Sequence, residues 1–543
     1  MRASVARTGG AVTCGERVSG LAVATALSRV LGFVRASIWA AAFGLHVVGN
    51  ALTLANTLPS IVYTLLAGGA ISSVFVPQLI RAAANGRQEG DAFAGRLLSV
   101  TLLVLLPATV IGVLLAPWIA RLYTGGAWPP RDTALLAAFL AWCLPQIPLY
   151  GIFAVLSQVL LARDRPGPMM WAPVANNVVG IAAAVPFLFL GGIATGPDAN
   201  AAETVSPGEA LAIAGGATAG VLVQVLVLLP ALRAAGVRVR PRRDVAAAGI
   251  GRSLRLAGWT VLFVAANQIA YSITAIVANA AGAAAADTAD HAAGLAQYTN
   301  ANMIMLVPHA IIAVSVVTAA FPRMARAAVE HDVDSVARAA TDALVRSGRL
   351  LLPVAFALLI TAPLITRLLF PGNPGPDTWF MGMVLATFAP AVVIYSFQFV
   401  LVRTLHAWEN TRGPAMVQIV IALIQSLLAV LASLLLPAGD VVVGLGAAFS
   451  LAYTVGLVCT ARLIVRTTGR RPLRGAAGAL LRPALAAATA ALGAGAVVAV
   501  SGVGPATDLW NSALVLLGAV GVYVTVFIVA AGHLSKDRRW TTP

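Results

Sequence analysis

Residues 17–44 read RVSGLAVATALSRVLGFVRASIWAAAFG. The stretch is apolar enough to enter a bilayer, yet it holds Arg29 and Arg35 in its interior. Each arginine costs about 2.5–3.5 kcal/mol at the centre of a membrane helix, so two of them require compensation. All twenty Asp and Glu fall in loops or at helix ends, so no carboxylate in a neighbouring segment offers itself. The pair therefore awaits an anion from elsewhere. Six positions apart on a straight helix, the two side chains diverge by roughly 120°. Gly32, midway, weakens the helix and permits a bend that turns both towards one cavity. The competing reading leaves Arg29 on backbone carbonyls and lets Arg35, nearer the outer end, reach an interface.

The rest of the chain fits a membrane setting. Of 543 residues, 59% are hydrophobic and 10% charged, with a mean hydropathy of +0.88, which indicates an all-α polytopic membrane protein. Cys14, Cys143 and Cys459 form no CxxC and meet no histidine cluster, so neither a disulfide framework nor a metal site is expected, and no cofactor is implied. The net charge of +16 is parcelled among loops rather than gathered on one face, which argues against nucleic acid. The basic N-terminus lacks a short apolar core with a cleavage site and is expected to be retained.

Fourteen apolar segments are predicted, at about 18–43, 50–79, 97–120, 133–161, 169–192, 210–232, 254–281, 294–321, 350–370, 378–405, 414–436, 441–463, 483–503 and 509–532. With the N-terminus inside, 31 of 36 Lys and Arg fall in inside loops, against Arg121, Arg131 and Arg367 outside. The positive-inside rule then places both termini of this multi-pass chain in the cytoplasm. The longest outside loop carries Asp198, Glu203 and Glu209 and no cation.

The segments repeat. LPATVIGVLLAPWIARL (106–122) and LPVAFALLITAPLITRL (352–368) share their prolines and Arg-Leu at an offset of 246. The same offset carries Gly167-Pro168 onto Gly413-Pro414. It moves an even number of segments along, so the copies have one orientation, a parallel repeat. Two six-helix lobes are expected, 1–232 and 254–465, joined by a basic cytoplasmic connector at 233–253, with the last two helices and the tail in 466–543.

Transporters built from repeats bind near the midplane, often beside broken helices. Polar positions that would line such a space, with Arg29 and Arg35, are Asn50, Asn56, Asn267 and Asn302, and Gly32, Pro59 and Pro308 are candidate hinges. Asn176, Asn177, Gln268, Tyr271, Asn300, Tyr395 and Gln398 add further polar spots. Each could instead serve an interhelical hydrogen bond, the usual glue of membrane bundles.

SRVLGFVR (28–35), NTLPSIVYTLLAGGAISSVFVPQL (56–79), ARDRPGPMMWAPVANN (162–177) and LVPHAIIAVSVVTAAFPRM (306–324) resemble the MurJ/MviN family. The resemblance extends over essentially all fourteen segments. It implies a flippase, not an enzyme, for lipid II, the undecaprenyl-pyrophosphate-linked peptidoglycan precursor, with membrane lipids and the cell-wall synthesis machinery as further partners. The family's first-helix cavity arginines match Arg29 and Arg35. Where many relatives have an acid at the start of the second helix, this chain has Asn50. Tyr63 and Thr64 stand in place of a paired arginine, and Met303 or its neighbours in place of another. The resemblance thus implies a variant head-group site. Three alternatives remain: a flippase for another polyprenyl-pyrophosphate glycan, a cation-coupled drug exporter of the same superfamily, and a non-transporting scaffold for envelope assembly.

Overall fold

The computed structural model describes residues 12–65, 86–163, 165–189, 205–237, 242, 244, 250–286 and 288–536. Residues 66–79 of the second segment with Pro77, the loop acids Asp198 and Glu203, and residues 238–241, 243 and 245–249 of the basic connector lie outside them. The described residues are mostly helical, without a strand. The chain is an all-α polytopic membrane protein.

Helix α1 spans Val12–Phe43 and α2 Val47–Thr64. There follow α3 (Arg87–Leu114), α4 (Ala116–Thr124), α5 (Pro130–Cys143), α6 (Gln146–Ala162) and α7 (Gly167–Phe189). Ser206 and Glu209 form a reciprocal capping box at the start of α8 (Pro207–Ala210), which passes through a π-helical turn into α9 (Gly216–Leu226) and α10 (Leu228–Ala234). Then come α11 (Ile250–Ala285), α12 (Leu295–Pro308), α13 (Val314–Val329), α14 (Val333–Leu369) and α15 (Gly375–Ala407). The chain closes with α16 (Arg412–Leu435), α17 (Val441–Thr468), α18 (Pro472–Ser501) and α19 (Leu509–Lys536).

Twelve helical stretches, from Gln88–Leu114 to Leu509–His533, are long and apolar enough to cross a membrane. Each coincides with one of the predicted segments from the third to the fourteenth. The expected count of fourteen is not reached among the described residues, since the second predicted segment is described only to residue 65 and the start of α1 only as backbone.

The repeated proline motif does not give two identical helices. In its first copy the helix breaks at Leu115, between α3 and α4, just before Pro117. In its second copy α14 runs unbroken through both Pro353 and Pro363. A proline removes one backbone donor and crowds the preceding turn, and whether the helix continues depends on what packs there. Here Pro363 faces Gly382 of α15, whose missing side chain lets the backbones meet: a Cβ there would lie 2.2 Å from Pro363 Cα. Both Gly-Pro pairs, 167–168 and 413–414, open helices as the offset requires.

Packing divides the chain into two compact units. The first comprises residues up to 43, 54–120 and 130–261. Its core joins Phe93 and Leu97 of α3 to Phe153, Leu156 and Leu160 of α6 and to Leu228 of α10. The second comprises 44–53, 121–129 and 262 onward. Val317, Met324, Leu344, Val400 and Leu401 fill its core. Its last two helices meet through small residues, Ala490, Ala491 and Ala494 against Ala519 and Tyr523, the close approach usual where apolar lipid offers no hydrophobic drive.

Candidate functional site

In the first unit, α1 and α7 are held together by two bonds to backbone carbonyls. Asn177 Nδ2 donates to Ser28 O at 2.9 Å, and Trp39 Nε1 donates to Gly180 O at 2.9 Å. The two bonds bracket the segment that carries Arg29, Gly32 and Arg35, and thereby fix its rotation about the helix axis. Gly180 is what admits Arg35: a Cβ at that position would lie 2.7 Å from Arg35 Cδ and 3.5 Å from the Trp39 ring. The guanidinium of Arg35 sits 5.0 Å from the centroid of the Trp39 ring, a cation–π contact.

Gly180 lies near the middle of the 23-residue α7, and Arg35 packs against α7 there. Arg35 is half-buried and Arg29 exposed on the protein surface. Among the described residues neither has a hydrogen bond or a carboxylate within ion-pair distance. The described carboxylates of the first unit that form ion pairs are committed elsewhere, Asp91 to Arg163 at 2.8 Å and Asp244 to Arg96 at 2.7 Å. The second of these lies at the basic connector, where hydrogen bonds from Arg96 and then Arg242 hold the Asp244 carboxyl down to about 2.

Gly32 does not interrupt α1, which is one helix from Val12 to Phe43. The nearest group to a Cβ there would be Asn177 Nδ2 at 3.5 Å, ordinary contact distance, so no close approach demands a glycine. Asn56, half-buried on α2, accepts from Gln146 Nε2 at 3.2 Å, and Gln146 also reaches Thr218 Oγ1 at 3.2 Å. Pro59 lies inside α2. Tyr63, one turn further, lies against Tyr150 of α6, with ring centroids 5.0 Å apart and the planes tilted by 33°. Asn177, Gly180 and Trp39 thus position the arginine-bearing stretch of α1.

The second unit holds the remaining candidates. Asn267 is tied up in a relay: its Oδ1 accepts from Gln418 Nε2 at 3.3 Å and from Tyr453 OH at 3.4 Å, while its Nδ2 donates to Gln268 at 3.3 Å. Asn302 is half-buried and makes no hydrogen bond among the described residues. Pro308 precedes a π-helical turn, His309–Ala313. Proline withholds one donor from the helix ladder, and a widened turn is a frequent consequence. The turn is pinned by His309, buried against Tyr395 and Phe399, whose Nδ1 is 2.9 Å from Ser396 Oγ.

Asn50 is buried and plays the part of a helix cap. Its Oδ1 accepts from Ala296 N at 2.7 Å and its Nδ2 reaches Leu45 O at 3.4 Å. The N-cap residue of α12 is Gly294, which has no side chain to offer, so Asn50 supplies the missing acceptor from a distant part of the chain. Nearby, Asp377 is buried and accepts from Ala292 N at 2.7 Å and from His46 Nε2 at 3.2 Å. The sequence placed Asp377 at a helix end but could not show that it pairs with a histidine 331 positions away.

A family described as lipid II flippase MurJ matches residues 39–517. The chain belongs to the MurJ family. A probable lipid II flippase MurJ of Rhizobium meliloti (strain 1021) is 27% identical over 398 residues, 72% of this chain and 70% of that protein. The lipid II flippase MurJ of Burkholderia cenocepacia is 26% identical over 413 residues, 74% and 75% of the two chains. Among solved structures, a lipid II flippase MurJ in an inward closed conformation covers 95% of this chain and 99% of its own, with a TM-score of 0.73 at 16% identity. An inward-facing MATE multidrug transporter of the MOP superfamily reaches a TM-score of 0.63 at 17% identity, covering 81% and 96%. The chain shares its fold with both structures, and the family match begins at residue 39, near the end of α1 and after Arg29 and Arg35.

Proposed function

We propose that this chain carries lipid II from the inner to the outer leaflet of the bacterial cytoplasmic membrane by alternating access, with its diphosphate held by Arg29 and Arg35. The observation that carries this reading is the state of those two side chains: arginines of an apolar helix without a counter-ion among the described residues, on a helix whose orientation Asn177 and Gly180 set. A guanidinium binds phosphate oxygens in pairs and keeps its charge when buried. The cargo thus supplies the negative charge that the protein withholds, and no bond needs to be made or broken.

Alternating access requires elements that change shape. The π-helical turn after Pro308 and the proline within α2 are two places where the helix ladder is already weakened. The described membrane helices place no carboxylate beside the arginines, and direction is supplied by lipid turnover or by the membrane potential, which acts at about 2.3 kcal/mol per elementary charge per 100 mV. The positive-inside pattern supports cytoplasmic termini, and the 246-residue offset supports a pair of six-helix lobes.

The test is depletion of the protein in its host while lipid II exposed on the outer leaflet is measured by surface labelling. Loss of exposure with accumulation of precursor inside is expected. Unchanged exposure removes the flippase reading.

A further inference from the structure

We propose that His309 is a proton-binding site: it takes up a proton at Nε2 during the transport cycle, and its charge decides which shape of the hinge at Pro308 is favoured. The proposal rests on the flippase reading above and gives that transporter a pH-dependent rate.

His309 lies in Leu295–Val329, a helical stretch long and apolar enough to cross a membrane. An ionisable side chain in such a stretch is a functional position by default. The ring is buried, and its hydrogen bond fixes where its proton sits. Nδ1 lies 2.9 Å from Ser396 Oγ, and that hydroxyl lies 2.6 Å from Val392 O. A carbonyl oxygen only accepts, so the single hydroxyl hydrogen of Ser396 goes to Val392. Ser396 Oγ is then an acceptor towards the ring, and Nδ1 carries the hydrogen. Nε2 is left as the basic nitrogen, the atom that takes a second proton.

The surroundings favour the neutral ring. On α15, Tyr395 and Phe399 make T-shaped contacts with it, at centroid distances of 4.7 and 5.3 Å. The guanidinium of Arg403 lies 5.1 Å from the centre of the same Phe399 ring. The other ionisable groups of α15, Asp377 and His406, stand near its two ends. Tyr395 in turn meets Tyr453 of α17 at 5.0 Å. On α14, Gly348 meets Phe397, the neighbour of Ser396, so the charges nearest this level are Arg346 and Arg349, with Asp342 further in. No charged residue belongs to α12, and those of α13, Arg323 and Arg326, stand towards its far end.

A proton on Nε2 thus adds a positive charge beside Arg403, and like charges repel strongly where water is scarce. Movement of the ring relieves the repulsion, and the helix is already loosened at this spot. Pro308 withholds a donor, and the next turn spans five residues, closed by Val314 N donating to His309 O. Neutral His309 holds the described turn, and charged His309 releases it. The proton comes from water and returns to it, so it sets the rate of transport and not its direction.

The experiment is leaflet exchange of labelled lipid II in vesicles holding the purified full-length protein. The pH is equal on both sides and runs from about 5 to 8, the interval in which imidazole ordinarily changes charge. The parent's rate is expected to change by about tenfold per pH unit on one side of a midpoint, as one titrating group requires. His309→Asn keeps an amide nitrogen where Nδ1 stands, and His309→Gln fills more of the ring's volume; both remove the base. Either variant, once folded, is expected to exchange lipid II at a rate that is level across the interval. A pH dependence that survives in both belongs to the cargo's diphosphate or to another group and overturns the proposal, as does a parent whose rate ignores pH. Should both variants be inactive, the imidazole nitrogen shifts of histidine-labelled parent decide. The chain has six histidines, so the His309 signal is found as the one missing from the variants. Neutral His309 is expected to carry its hydrogen on Nδ1 and to gain a second proton within the interval. A ring protonated on Nε2 alone, or neutral throughout, overturns the proposal. Parent vesicles that exchange no lipid II at any pH overturn the flippase reading itself, and this gate with it.

Discussion

Gly294→Ala should be among the most damaging single methyl additions in the molecule, and its cost can be built up from the structure. A Cβ at this position would lie 2.3 Å from Asn50 Nδ2, 2.6 Å from its Oδ1 and 2.7 Å from its Cγ. Asn50 is 4% exposed, so its amide has nowhere to swing. The φ angle of Gly294 is +154°, a value that residues with side chains seldom adopt, at a cost of about 1–3 kcal/mol. Expelling Asn50 also breaks its bond to Ala296 N and strips α12 of its borrowed cap, which costs about 1–2 kcal/mol more. The sum is about 2–5 kcal/mol. Equilibrium unfolding in mixed detergent and denaturing micelles measures it, and a double-mutant cycle with Asn50→Ala separates the two parts. Once Asn50 is gone the added methyl has room, so the cycle should show a coupling of about 1–2 kcal/mol. A Gly294→Ala protein as stable as its parent, or a cycle with no coupling, would refute the cap.

Gly32→Ala separates helix stability from motion: with only ordinary contact at 3.5 Å to meet, it should stabilise the resting protein by about 0.5–1 kcal/mol. Slower leaflet exchange of lipid II by that variant would show that transport bends α1 there, and unchanged exchange would remove Gly32 as a hinge. Asp377→Ala leaves His46 and the Ala292 amide without their buried acceptor, and a loss of about 1–3 kcal/mol is expected in the same unfolding assay. At the connector, the lowered Asp244 carboxyl contributes stability above the usual value of 3.8 and loses it as pH falls through about 2. Carboxyl chemical shifts of labelled Asp244 should accordingly titrate near 2, and titration near 3.8 would mean that Arg96 and Arg242 do not hold it in solution.

The helices were legible because a bilayer imposes a length and a composition that hydropathy reads directly. Segments three to fourteen follow from that rule, and both Gly-Pro pairs opened helices where the repeat put them. The motif around Pro117 and Pro363 shows where the rule stops. One copy breaks and the other does not, and the unbroken copy is the one whose Pro363 meets a glycine, Gly382, across the interface. The arginines were legible for the same reason as the helices, since a charge in an apolar run is conspicuous. Their surroundings were not, since Gly180 gives no signal beyond being a glycine, nor was the meeting of Tyr63 with Tyr150, which comes only through folding. Asn50 stood out as a polar residue in an apolar segment, but burial against Gly294 makes it a cap for α12. His46 and Asp377 each sat unremarked at a helix end.

The account turns on whether the two arginines of α1 bind the cargo's diphosphate. The direct measurement is leaflet exchange of labelled lipid II in vesicles containing the purified protein, with Arg29→Glu and Arg35→Glu beside Arg29→Lys and Arg35→Lys. Charge reversal at either position should abolish exchange and charge retention should preserve part of it, with the folded protein recovered in like amount. Exchange undiminished by both reversals would contradict the account.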